Sequence, residues 1–203
     1  YCGWETLWGG EKSHYSSGSS LWLLGRHTKL NYLSALQWIE QDLAVHGRPS
    51  VVNMSLGGPA PQSSITLSEL TIQRIVNRGV PVVVSSGNSA ADACLGHYAR
   101  LRSAITVNAS TIDDTDASFS NWGPCTDLYA PGVNITSAGI SGDSSSRSSS
   151  GTSMAAPHVA GAVARLLSDG TPRSANFENI LKSANSGVIR SGAPGDATSL
   201  LHI

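Results

Sequence analysis

The chain has 203 residues, 13 Lys and Arg against 14 Asp and Glu, and only 13% charged residues, about half the share of an ordinary globular domain. Near-neutrality removes the basic footprint of a nucleic-acid binder, and the longest apolar runs, Val80 to Val84 and Leu21 to Leu24, fall far short of the ~20 residues of a membrane-spanning helix. The 40% hydrophobic content and the length suit one domain with one core, its surface made polar by 33 Ser and 21 Gly more than by charge.

Residues 1–34 contain no Val, Ala, Ile, Asp or Pro, yet hold three of the five Trp. Linkers are seldom rich in Trp, so residues 1–29 are set apart as an atypical segment and residues 30–203 as the domain. The chain opens on Tyr with no signal-like sequence, so it is expected to be a product of processing or truncation.

From Leu30, apolar residues at Leu33, Leu36, Trp38, Ile39 and Leu43 recur at helical spacing, and Gly47 with Pro49 ends the helix. Ser50 to Leu56 is a Val-rich strand closed by Gly57 and Gly58. Ile65 to Arg78 is a second amphipathic helix, and Pro81 to Ser86 is an apolar strand of the kind buried on both faces of a parallel sheet. Ala104 to Ala109 and Asp127 to Ala130 are further short strands. Gly139 to Ser150 is a Ser-rich loop read as exposed surface, and Thr152 to Leu167 is the most apolar helix. Alternating strands and helices of this kind argue for an α/β layered fold.

Chemistry concentrates at Gly151-Thr152-Ser153-Met154-Ala155-Ala156-Pro157-His158-Val159-Ala160-Gly161. A Ser at the mouth of a helix has two readings. It can cap the helix, or it can be a nucleophile beside backbone N–H groups that face a developing oxyanion. Pro157 is tolerable because the first turn has N–H groups without partners.

This segment resembles the serine motif of the subtilisin-like serine peptidases, Gly-Thr-Ser-Met-Ala-x-Pro-His. The resemblance makes Ser153 the catalytic serine and leaves His158 a structural member of the motif. Val82 to Asn88, a buried strand ending in Ser85-Ser86-Gly87-Asn88, resembles the family segment whose Asn side chain donates to the oxyanion. Asn88 is the corresponding candidate; alone, it would be an ordinary turn residue. Ser55-Leu56-Gly57-Gly58 resembles the facing stretch. In the family these two stretches line the cleft for an extended peptide, so Ser55, Leu56, Gly57, Ser85, Ser86 and Gly87 are candidate substrate contacts.

Ala90 to Cys94 and Ser118 to Gly132 are similar to the proteinase K-like branch of that family, whose secreted members bond the cysteines corresponding to Cys94 and Cys125. Two free thiols are the alternative. A bridge would imply an oxidising compartment, hence an extracellular location. Asp127 resembles a family calcium carboxylate, which makes structural calcium the one expected cofactor; an ordinary surface Asp is the other reading. The chain departs from its branch at His97-Tyr98-Ala99, where relatives carry Ser-Pro-Ala, and at Asn108, where they carry Gly. Asn108-Ala109-Ser110 and Asn134-Ile135-Thr136 match glycosylation sequons, which matter only in a secreted chain.

A serine nucleophile needs a base, in this family a His oriented by an Asp. Neither family motif bearing them occurs here, and His14, His27 and His46 lack the glycine-rich neighbourhood of the family His. One explanation lies in the opening segment. Back-translated with free codon choice and one base dropped, residues 1–12 admit the family stretch T-V-G-G-x-x-Y-G-V-A-K-K, and residues 17–20 admit A-V-R-V. Residues 1 to about 27 are therefore expected to be out-of-frame translation; a divergent N-terminal arm is the alternative.

The resemblance implies a three-layer α/β/α sandwich with a mainly parallel sheet, its first strands missing, and endopeptidase chemistry on a polypeptide substrate. A monomer is expected, with no nucleic-acid or membrane partner and no catalytic cofactor. An inactive remnant that binds peptides is the rival function, and an α/β binding domain unrelated to proteolysis is a third.

Overall fold

The computed structural model describes residues 29–47, 49–60, 65–170, 180, 182–190 and 195–202. Helix α1 (Lys29–His46) leads into strand β1 (Val52–Met54), helix α2 (Leu67–Asn77) and strand β2 (Val82–Ser85). A 3-10 turn, Ala93–Leu95, precedes strands β3 (Ile105–Ser110) and β4 (Leu128–Pro131). The hairpin β5 (Ile135–Ala138) and β6 (Ser146–Ser149) follows, and then helix α3 (Thr152–Ser168).

Strands β1 to β4 pair in the order β1-β2-β3-β4, and every pairing is parallel. Side chains alternate across a strand, and β2 uses both faces. Val83 joins a core with Ile105, Val107 and the α3 residues Val159 and Val163. Val82 and Val84 join a second core with Leu36 of α1 and Ile72 and Ile75 of α2. The sheet thus lies between α3 on one side and α1 with α2 on the other, the expected α/β/α sandwich. The fully buried Val82 to Val84 run explains why β2 is a continuous apolar stretch in the sequence.

Helix α2 starts where its capping box dictates. The Thr66 hydroxyl accepts the Glu69 N–H at 3.3 Å, and the Glu69 carboxylate accepts the Thr66 N–H at 2.7 Å. Its Ile72 and Ile75 are fully buried, which sets the face it turns to the sheet. The expected seven-residue strand over 50–56 shortens to three, because its C-terminal half turns away to form the site.

The stretch 139–150 departs from the loop expectation. Ser146–Ser149 forms β6 and pairs antiparallel with Ile135–Ala138. Its small polar side chains carry no alternation of apolar and polar residues, the signal by which a half-buried strand is recognised. The C-terminal residues also reach the sheet: Tyr129 N–H donates to Ser199 O at 2.8 Å and Leu201 N–H to Tyr129 O at 2.8 Å. Residues 1–28, the greater part of the atypical opening segment, lie outside the described residues, as do His14 and His27.

Candidate active site

Parallel sheets place their working loops at the carboxyl ends of the strands, and two such connections meet the mouth of α3 here. The turn after β1 carries Ser55 to Pro59, the turn after β2 carries Ser86 to Asn88, and the mouth of α3 carries Gly151 to Ser153. Together they line a cleft of about 470 Å³. Every expected substrate contact lies in it, Ser55, Leu56 and Gly57 from the first turn and Ser85, Ser86 and Gly87 from the second, and so do the oxyanion candidate, the exposed Asn88, and Ser153.

Ser153 does not cap α3. The cap position is Gly151, which makes no side-chain cap bond, and Ser153 is the second helical residue. Its hydroxyl donates to the Ser55 carbonyl at 3.2 Å, while the Ser55 hydroxyl donates to the Ser153 carbonyl at 2.9 Å. Pro157 explains the second bond. It is the sixth helical residue, past the first turn where the sequence placed it, and has no N–H to give the carbonyl four residues back, so Ser153 O is free to accept from another strand turn.

The helix mouth leaves two donors open. The Ser153 N–H has no acceptor among the described residues. The Asn88 amide is held by its oxygen, which accepts the Thr152 N–H at 2.8 Å and the Thr152 hydroxyl at 2.8 Å. Its Nδ2 is left without a partner among the described residues. Thr152 is itself fixed, its hydroxyl accepting the Gly87 N–H at 3.2 Å. The two open donors border one spot: a methyl group built on Gly151 would lie 3.4 Å from Asn88 Nδ2 and 3.7 Å from Ser153 N.

Asn121, which sequence reasoning did not single out, holds the β2 turn in shape. Its Nδ2 donates to Ser86 O at 2.9 Å, and its Oδ1 accepts the N–H groups of Ser89 at 2.9 Å and Ala91 at 3.2 Å. Gly87 is required beside it, because at φ +113° an added Cβ would fall 2.4 Å from Asn121 Nδ2. The signal for Asn121 was present in the Ser118 to Gly123 motif, but a buried Asn that bridges two turns has no local pattern of its own.

The far wall is built by the departure at His97. Its N–H donates to Gly58 O at 2.7 Å, and its Nε2 lies 2.8 Å from the Thr66 hydroxyl and 3.7 Å from Glu69 Oε2. Glu69 is fully buried and is gripped twice by Arg100, at 2.7 and 3.0 Å. Burial alone would push this carboxyl up, but the bonds from Arg100 and Thr66 and the Arg100 charge outweigh it and hold it at about 2. Among the described residues no imidazole takes the Ser153 hydroxyl proton: His97 lies against Thr66, and His158 Nδ1 bonds the Met154 carbonyl at 2.8 Å. His46 sits at the end of α1 beside Asp42 at 2.9 Å.

Cys94 and Cys125 form a disulfide, with Cα atoms 5.2 Å apart, which ties the loop after β2 to the segment before β4. Asp127 Oδ2 accepts the Thr106 N–H at 2.7 Å. Burial pushes its carboxyl up to about 6, against the pull of that bond and of the Arg102 charge. No group of three His, Cys, Asp or Glu side chains able to hold a metal exists among the described residues. A hard cation wants six or more oxygens, whereas Asp127 brings one carboxylate, already engaged, with the positive Arg102 nearby. The remaining oxygens of a cation site at Asp127 would have to come from backbone carbonyls and water. Among the described residues no helix is long and apolar enough to cross a membrane.

Comparison with known proteins agrees with the fold. The Subtilase family model matches residues 24–185. The chain is 45% identical over 143 residues to the extracellular serine proteinase of Thermus sp. (strain Rt41A), covering 70% of this chain and 33% of that protein. It is 41% identical over 181 residues to subtilisin-like protease 5 of Arthroderma benhamiae, covering 88% and 44%. The chain therefore spans less than half the length of these relatives. The crystal structure of a cold adapted subtilisin-like serine proteinase superposes with a TM-score of 0.78 at 35% identity, over 88% of this chain and 63% of that one. A parallel sheet whose turns converge on Gly151 to Ser153, together with a family match that runs across all of it, leads to one conclusion: the chain belongs to the subtilase family.

Proposed function

We propose that this chain is the nucleophile-bearing part of an extracellular serine endopeptidase. In this reading Ser153 Oγ attacks the carbonyl of a polypeptide lying in the cleft, and the carbonyl oxygen, as it gains charge, is received by the Ser153 N–H and Asn88 Nδ2. One observation carries the reading: two donors without partners among the described residues border one spot beside the Ser153 backbone, and one of them is aimed by Thr152. Donors fixed before the reaction stabilise the developing charge without reorganising. The walls at Ser55 to Gly57 and Ser85 to Gly87 would hold the peptide by its backbone, and the name of the Thermus relative and the Cys94–Cys125 bond support an extracellular setting.

The proton of Ser153 needs an acceptor, and the bond from its hydroxyl to Ser55 O favours a second reading for the chain alone, a peptide-binding remnant. A serine-directed phosphonate separates them. This chain is expected to label no faster than its Ser153→Ala variant, because a triad serine stripped of His and Asp keeps only the ~10³ to 10⁴-fold effect of oxyanion hole and binding. Fast labelling that depends on Ser153 would show that a base is present after all. A coding sequence that continues upstream through the Asp and His motifs, and whose product labels at Ser153, supports the peptidase. Labelling of that product after Ser153→Ala would sink the nucleophile assignment.

A further inference from the structure

Two segments fit the acceptor pattern Asn-x-Ser/Thr, and the fold treats them in opposite ways. Asn108 lies in β3, between β2 and β4, and is fully buried. Its Nδ2 donates to Asp196 Oδ1 at 3.0 Å, so the nitrogen that would carry a sugar is enclosed and in use. Asn134 lies in the turn that enters the β5–β6 hairpin and is exposed, as is Thr136 two residues on. Its backbone is held in the left-handed region at φ +54°, a conformation Asn tolerates better than most residues. The turn is pinned by its own N–H, which donates to the Ser150 hydroxyl at 2.9 Å. The Asn134 side-chain amide has no partner among the described residues, and no residue of 132–150 lines the cleft.

We propose that Asn134 is an N-glycosylation site and that Asn108 is not one in the folded protein. The reacting partner is a lipid-linked oligosaccharide diphosphate. Asn134 Nδ2 forms a bond to the anomeric carbon of the first sugar, the bond from that carbon to the diphosphate oxygen breaks, and Nδ2 gives up one proton while the lipid diphosphate leaves. A glycan is bulky and needs surface. At Asn134 it would stand over the outer face of the hairpin, beside the exposed Ser146 to Ser148 and Ile140, and clear of the peptide cleft. At Asn108 it would have to wedge open the central sheet between neighbouring strands.

The inference rests on the extracellular reading, so its test bypasses that reading: the full chain is carried by a cleavable leader into a eukaryotic secretory pathway. Peptide mapping after peptide-N-glycosidase treatment, which converts an occupied Asn to Asp, is applied to both the secreted and the microsome-retained pools. The expected result is one glycan, at Asn134, lost in Asn134→Gln and in Thr136→Ala, kept in Thr136→Ser, and unaffected by Asn108→Gln. Asn134 left unconverted in both pools would overturn the proposal, as would Asn108 occupied in soluble secreted protein. Poor secretion does not obscure the answer, since the retained pool reports on Asn134 by itself.

Discussion

The two ends of the Asn88 side-chain amide stand in different surroundings. Thr152 takes the oxygen at 2.8 Å by both its N–H and its hydroxyl, and this fixes which way the nitrogen faces. Asn88→Leu in the peptidase extended through its Asp and His motifs should lower kcat by about 10² to 10³ with little change in KM, because the lost bond strengthens only as the oxyanion forms. An equal rise in KM would instead point to a role in binding substrate. Gly151→Ala makes the complementary test. Its methyl would occupy the spot bordered by both donors, so turnover should fall without any donor having been removed. Ser153, Asn88 and the cleft walls were legible because each lies in a short contiguous motif. Asn121 and the Glu69–Arg100 pair were not, since their meaning comes from bonds spanning 30 to 35 residues.

At the level of elements, the sequence marked all four sheet strands and three helices, because their apolar residues follow the period of a strand or a helix. The hairpin of β5 and β6 escaped because the ladder from Ile135–Ser149 to Ala138–Ser146 is made by backbone groups under small polar side chains. The shortening of β1 escaped for another reason: the pattern 50–56 is apolar to its end, but Leu56 lines the cleft instead of continuing the strand. The disulfide joins two loops across a separation of 31 residues. Under the chain-entropy account such a closure contributes roughly 3 to 4 kcal/mol. Cys94→Ser with Cys125→Ser should therefore lower the urea midpoint clearly and raise the m-value of a cooperative transition, because the released unfolded chain exposes more surface. An unchanged midpoint would mean that the reduced chain is held just as well by its other contacts.

For the molecule as a whole, buried carboxyls set how stability follows pH. Burial pushes Asp116 up to about 6, the Asp196 charge adds to this and a Tyr129 bond opposes it. Tyr129 has one hydroxyl proton and donates it to Asp196, while Asp116 Oδ1 is buried without a partner among the described residues. A carboxyl raised in the folded state favours folding in its protonated form. That contribution is complete below about pH 4 and is lost as pH rises through 6, amounting to about 2 to 3 kcal/mol for a shift of this size. Glu69, held at about 2, works the other way: its contribution is present above its ordinary value of 4.5 and is lost as pH falls toward 2. For these groups together, stability should peak near pH 4. Asp116→Asn should flatten the decline between pH 4 and 6 in urea titrations, in part only, because Asp127 is raised in the same direction. An identical slope in the variant would show that Asp116 does not titrate in that window.

Strand β1 pairs with β2 on one side and ends the sheet order on the other. Its outward row of N–H and C=O groups spans only Val52 to Met54, with Asn53 exposed between them. Such a border is a template on which further backbone can be laid, so among the described residues the sheet is open to growth at this end. Backbone laid down at this end would extend the ladder from three residues, Val52 to Met54, on the far side of β1 from β2.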